Sequence, residues 1–149
     1  MQDCLVFRMG KERYGIELAS VREIRRPPRV TPLPESPPWL RGVTNLRGTI
    51  LAVLDLGVGL GISTEAAPGA GRKSRLVVVH EDGIEAGFCV DEVDGVVAIG
   101  DGELRHAPDT LPEPLRRWCG GIAGVKGDLV TVLTPEFLPG LQERLGSAR

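Results

Sequence analysis

"GVTNLRGTILAVLDL", residues Gly42 to Leu56, is an apolar run broken near its start by Arg47 and Gly48. Two Val/Ile/Leu-rich pieces around a basic-glycine pair read as strand, turn, strand. The turn could also hold a charged group up for another molecule. The same signature occurs again further along. "WLRGVTNLRGTILAVL" (39–54) aligns without a gap on "WCGGIAGVKGDLVTVL" (118–133). Trp39 meets Trp118, Gly42 meets Gly121, Arg47 meets Lys126 and Gly48 meets Gly127. The apolar positions follow: Val43 with Ile122, Leu46 with Val125, Ile50 with Leu129.

An earlier pair of segments repeats in the same order. "GIELASVREI" (15–24) matches "GFCVDEVDGV" (87–96), with Ile16, Leu18, Val21 and Ile24 against Phe88, Val90, Val93 and Val96. Apolar strands precede both, "CLVF" and "RLVVV", followed by turns, "GKERY" and "HEDGIEA". Repetition of this kind governs the fold. Each half reads as strand, turn, strand, bent connection, Trp-x-x-Gly, strand, basic-Gly turn, strand. Apolar residues at nearly every strand position suit a small closed barrel, which also removes exposed edges. The expectation is an all-β chain with four or five short strands in each half. "GVGLGISTEAAPGAGRKS" (57–74) reads as a linker or long loop. The tail from Thr134 reads as a short helix with Pro135 at its first position, a break near Pro139 and an end at Gly146.

At 149 residues the chain has the length of one domain. Its net charge of -2 gives no general attraction to polyanions. "REIRRPPR" (22–29) is locally basic and reads as a solvated loop; a nucleic-acid-binding double β-barrel using Arg25, Arg26 and Arg29 is the alternative function. Aromatics at 4% leave few stacking platforms for that role. No apolar stretch is long enough to span a bilayer, and no signal-peptide pattern is present. Cys4, Cys89 and Cys119 are odd in number and far apart, as expected of free, mostly buried thiols.

Chemistry is sparse. His80 and His106 fall in expected turns or loops, and no HExxH, CxxC or EF-hand spacing occurs. "LDLGVGLG" follows a strand but has no amphipathic helix after it for a phosphate to meet. In "APGAGRKS" Ala66 stands where a phosphate loop needs glycine, and Arg72 separates Gly71 from Lys73. "VDEVDG" reads as a solvent face ending in a turn. The expectation is no enzyme, no metal and no cofactor.

"LVFRMGKERYGIELASVREI", "WLRGVTNLRGTILAVLDL" and "AGFCVDEVDGVV" closely resemble the CheW-like chemotaxis coupling proteins, from about Leu5 to Leu138. The Gly-Val-x-Asn-Leu-Arg-Gly segment carries most of the likeness. The resemblance implies two SH3-like five-stranded β-barrels in pseudo-two-fold arrangement, with short helical turns and a short C-terminal helix. The whole chain, 1–149, would be a single CheW-like domain. Its first barrel would lie mainly in 14–66 and its second mainly in 75–134, with elements exchanged between the two. The resemblance also implies a non-catalytic cytoplasmic adaptor, recruited to membrane-associated receptor arrays. It would couple chemoreceptor cytoplasmic helical tips to the regulatory domain of a CheA-like histidine kinase. The implied partner-binding residues are Val21, Glu23, Ile24, Gly42, Asn45, Arg47, Gly48, Val90 and Val93, with Glu23 and Arg47 as a pair. Lys126, at the place of Arg47 in the second half, lacks the guanidinium fork that fixes direction.

Overall fold

A computed structural model describes residues 1–62 and 70–141. Among the described residues, eleven strands form two sheets. In the first half these are β1 (Gln2–Met9), β2 (Glu12–Glu17), β3 (Val21–Arg25), β4 (Leu40–Leu46) and β5 (Thr49–Leu54). In the second they are β6 (Arg75–Glu81), β7 (Ile84–Val90), β8 (Glu92–Ile99), the two-residue β9 (Leu104–Arg105), β10 (Cys119–Val125) and β11 (Asp128–Leu133).

The hairpins turn on two residues each, and the backbone explains the residues chosen. Arg47-Gly48, Asp82-Gly83 and Lys126-Gly127 all have positive φ at both positions. That conformation matches the right-handed twist of the flanking strands. "GKERY" and "HEDGIEA" are therefore turns only at Gly10-Lys11 and Asp82-Gly83; their other residues, His80 included, are strand.

One sheet runs β3-β6-β7-β5-β4 and the other β8-β1-β2-β11-β10-β9. The two orders are the same order, shifted from one half of the sequence to the other. Strands β3 and β8 cross over: β3 pairs with β6 and β8 with β1, each lying in the opposite half's sheet. Parallel pairs complete the exchange, β5 with β7 and β11 with β2. Each sheet closes on itself where the chain leaving the crossover strand reaches the far edge. Thr31 bridges to Val43 of β4, and Arg105 pairs with Ile122 of β10. Gly42 and Gly121 permit these closures. Their φ values are 150° and 149°, and an added Cβ would drive into the Thr31 carbonyl oxygen at one and lie 2.6 Å from the Leu104 side chain at the other.

Two-sided burial accounts for the continuous apolar strands. On β1, Cys4 and Val6 point into one barrel with Ala123, Val130 and Val132. On its other face, Leu5, Phe7 and Met9 join the largest cluster, which also takes Val77, Val79, Phe88, Trp39, Trp118 and Phe137. The second barrel is filled by Leu46, Leu51, Val53, Leu76, Val78 and Cys89. The main core thus draws on both sheets.

Further expectations fail. The start of the expected loop at 57–74 is helical: α1 spans Leu56–Leu60, where Asp55 Oδ1 accepts the Val58 N–H at 3.1 Å and Gly61, at φ 71°, ends the helix. Residues 63–69 of that call lie outside the described residues. "REIRRPPR" is not wholly loop, because 22–25 belong to β3. The tail is helical over 137–141 with Pro139 inside it; proline needs no N–H partner in a first helical turn. Gly146 lies outside the described residues. A short α2 (Leu115–Trp118) precedes β10.

Candidate functional site

The β4–β5 turn presents Arg47 on a strained but well-tied backbone. At φ 51°, Arg47 adopts a left-handed conformation, which costs a non-glycine residue about 1–2 kcal/mol. Asn45 Oδ1 accepts the Gly48 N–H at 2.8 Å and braces the turn. Arg47 Nη2 donates to Glu23 Oε1 at 2.6 Å, joining the turn to β3 at the opposite edge of the same sheet. Arg47 is 70% exposed while Glu23 is 23% exposed, so the carboxylate anchors and the guanidinium is displayed. The position equivalent to Glu23 in the second half is Gly95. Lys126 therefore meets no matching carboxylate there.

The remaining expected residues separate by depth. Val21 and Val93 are half-buried and pack against the main core; Ile24 stands exposed beside Glu23. Gly42 and Val90 are buried, so they shape the surface from beneath. Val93 and Val90 flank Asp91 at the crossover into β8, whereas Glu23, Ile24, Asn45, Arg47 and Gly48 gather near the β3 edge and the β4–β5 turn.

Sequence reasoning treated Ile50 and Leu129 only as matching strand positions. They are 65% and 71% exposed, and a second matched pair of the repeat, Ile24 and Val96, is exposed as well. Ile50 lies in a groove with Pro28, Arg29, Thr31, Val43 and Asn45. Leu129 lies in the equivalent groove with Glu103, Arg105, His106, Pro108 and Ile122. Each barrel thus carries a similar apolar-centred groove. The alignment marks both positions as apolar, but the structure is what shows that they face solvent.

"VDEVDG" is occupied structurally. Asp91 Oδ2 accepts the Gly10 N–H at 2.7 Å, and Asp94 lies 3.2 Å from Arg8 and 3.0 Å from Arg13. Gly95, at φ 134°, sits in a β-bulge rather than a turn. Burial pushes the Cys4, Cys89 and Cys119 thiols up, and it pushes Tyr14, with Glu12 adding a smaller effect, up to about 12. Raised thiols are poorer nucleophiles at neutral pH. Among the described residues no group of three His, Cys, Asp or Glu could hold a metal ion, and no helix is long and apolar enough to cross a membrane.

The sequence profile of the CheW-like domain matches residues 3–141. The chain belongs to the CheW-like family. It is 26% identical over 143 residues to the chemotaxis protein CheW of Rhizobium meliloti, covering 96% of this chain and 90% of that protein. It is 32% identical over 136 residues to CheW of Klebsiella aerogenes, covering 89% and 77%. Protein PilI of Pseudomonas aeruginosa is 39% identical over 110 residues, covering 73% and 56%. The crystal structure of the scaffolding protein TtCheW from Thermoanaerobacter tengcongensis superposes with a TM-score of 0.78 at 29% identity, over 89% of this chain and 83% of that one. The two closed sheets are the SH3-like barrels of this CheW-like fold, the second extended by the short β9. As a CheW-family member the chain is a non-catalytic scaffold or adaptor of chemotaxis-type signalling systems.

Proposed function

We propose that this CheW-like chain couples chemoreceptor cytoplasmic helical tips to the regulatory domain of a CheA-like histidine kinase, in the cytoplasm at membrane-associated receptor arrays. The observation that supports this reading best is the duplicated groove. Two equivalent apolar-centred surfaces, around Ile50 and Leu129, sit on barrels that share one core. One molecule can therefore hold two partners at a fixed separation. Two further features lie on opposite faces of β3: exposed Ile24 suits an apolar side chain of a partner helix, and the Glu23–Arg47 pair displays a guanidinium for an acceptor. A helix in such a seat gains roughly 25 cal/mol for each Å² of apolar area buried, before the costs of association. The nucleic-acid alternative, on Arg25, Arg26 and Arg29, has no such support.

Capture with the tagged chain from native cytoplasm tests the proposal. A histidine kinase and receptor tails should be recovered together. Ile50→Asp or Leu129→Asp should each remove a partner while leaving the fold intact. Recovery of neither partner by the unaltered chain would overturn it.

A further inference from the structure

Alignment of the halves places opposite charges at equivalent positions. Arg22 of β3 corresponds to Asp94 of β8, and Arg13 of β2 corresponds to Glu85 of β7. The fold joins these four residues into two ion pairs of reversed polarity. Arg22 Nε lies 2.9 Å from Glu85 Oε2, and Arg13 Nε lies 3.0 Å from Asp94 Oδ2. Each pair reaches across one intervening strand, β6 in the first case and β1 in the second. Arg22 and Asp94 are also the extra residues of matching bulges. Val21 pairs with Val79 and Glu23 with Val78, while Val93 pairs with Phe7 and Gly95 with Val6.

Two strands of similar apolar pattern, β3 and β8, thus have two seats of similar shape, beside β6 and beside β1. Apolar burial distinguishes them poorly, because Val21 and Ile24 match Val93 and Val96. We propose that charge assigns each crossover strand to its seat, favouring the crossed arrangement and opposing the equivalent seat, above all on a second copy of the chain. Placed beside β1, Arg22 would face Arg8 and Arg13; of the nearby carboxylates, Asp128 is already bound to Arg13 and Glu12 lines the same cavity as Arg8 and Arg13. Placed beside β6, Asp94 would face Glu85, with His80 in the place of Arg8. A partly exposed pair adds little to stability by itself. Its leverage is the difference between attraction in one seat and repulsion in the other.

Three variants of the full chain test the assignment. Arg22→Ala/Asp94→Ala removes both attractions without misdirecting either strand. It should keep the parent's elution volume, with a melting temperature within about 3 °C. Arg22→Glu/Asp94→Arg sends each strand toward the other seat. After refolding by dilution from denaturant, size-exclusion chromatography with light scattering should show a loss of the parent species, at least twofold, to larger ones. Adding Arg8→Glu, Arg13→Glu and Glu85→Arg reverses the seats as well and should bring the parent species back. The proposal is overturned if the doubly reversed chain recovers the parent species as fully as the alanine pair does. It is equally overturned if reversing the seats restores nothing, including the case in which the double variant fails to fold.

Discussion

Phe7 and Phe88 meet with ring centroids 5.5 Å apart and planes tilted by 53°, and they belong to different sheets: Phe7 lies on β1 and Phe88 on β7. Phe88 also meets Phe137, edge to face, at 6.2 Å. The aromatic centre of the molecule is therefore property of neither barrel alone. Phe88→Ala should cost about 3–5 kcal/mol, and the loss should appear in both sheets at once. Calorimetry should show one transition for parent and variant alike; two separated transitions would mean that the sheets fold independently.

Arg47 tests display against support. An exposed ion pair contributes roughly 0–1 kcal/mol, so Arg47→Glu should shift thermal unfolding by only a few degrees while weakening capture of a partner at least tenfold. Lys126→Glu, which breaks no equivalent pair, should leave melting unchanged. A collapse of the Arg47→Glu melting transition would make the residue structural, and unaltered partner capture would remove it from the binding surface.

Two glycines separate backbone strain from crowding. Gly48, at φ 84°, has open space where a Cβ would stand, whereas Gly42, at φ 150°, is packed against the carbonyl of Thr31. Gly48→Ala should cost about 1 kcal/mol, and Gly42→Ala should cost at least twice that because the barrel closure must also open. Chemical denaturation measures both. Equal costs would show that the Thr31–Val43 bridge yields easily.

Alkaline pH should loosen the fold through Tyr14. Its pKa is raised from 10.0 to about 12 by burial, so between these values the unfolded chain has released a proton that the folded chain keeps. Stability then falls as pH rises, by about 1.4 kcal/mol per unit and 2–3 kcal/mol across the window. The raised Cys4, Cys89 and Cys119 thiols act in the same direction from about pH 9 upward. Tyr14→Phe should flatten the decline between pH 10 and 12, measured by urea midpoints; an unchanged slope would assign the decline elsewhere.

Much of the architecture was legible because it is written twice. Gly42 with Gly121 and Arg47-Gly48 with Lys126-Gly127 mark bends and turns whose backbone geometry restricts the residue choice. What escaped depends on pairing between distant segments. Helix α1 is hidden in "LGVGL", whose glycines read as a loop until Asp55 is seen to cap it. His80 looked like a turn residue because the turn itself needs only Asp82 and Gly83. Glu23–Arg47 was expected from the family resemblance, whereas the exposure of Ile50 and Leu129 needed coordinates, since an apolar residue on a strand does not announce which face is covered. The charge reversal at Arg22/Asp94 and Arg13/Glu85 was visible in the aligned halves, but attention to apolar matches passed over it.

Only the three-residue turn Leu18–Ser20 separates β2 from β3, and only Asp91 separates β7 from β8. Each of these short tethers steps from one barrel to the other. The two barrels are consequently stitched together twice by linkers too short to let β3 or β8 shift without dragging β2 or β7 along.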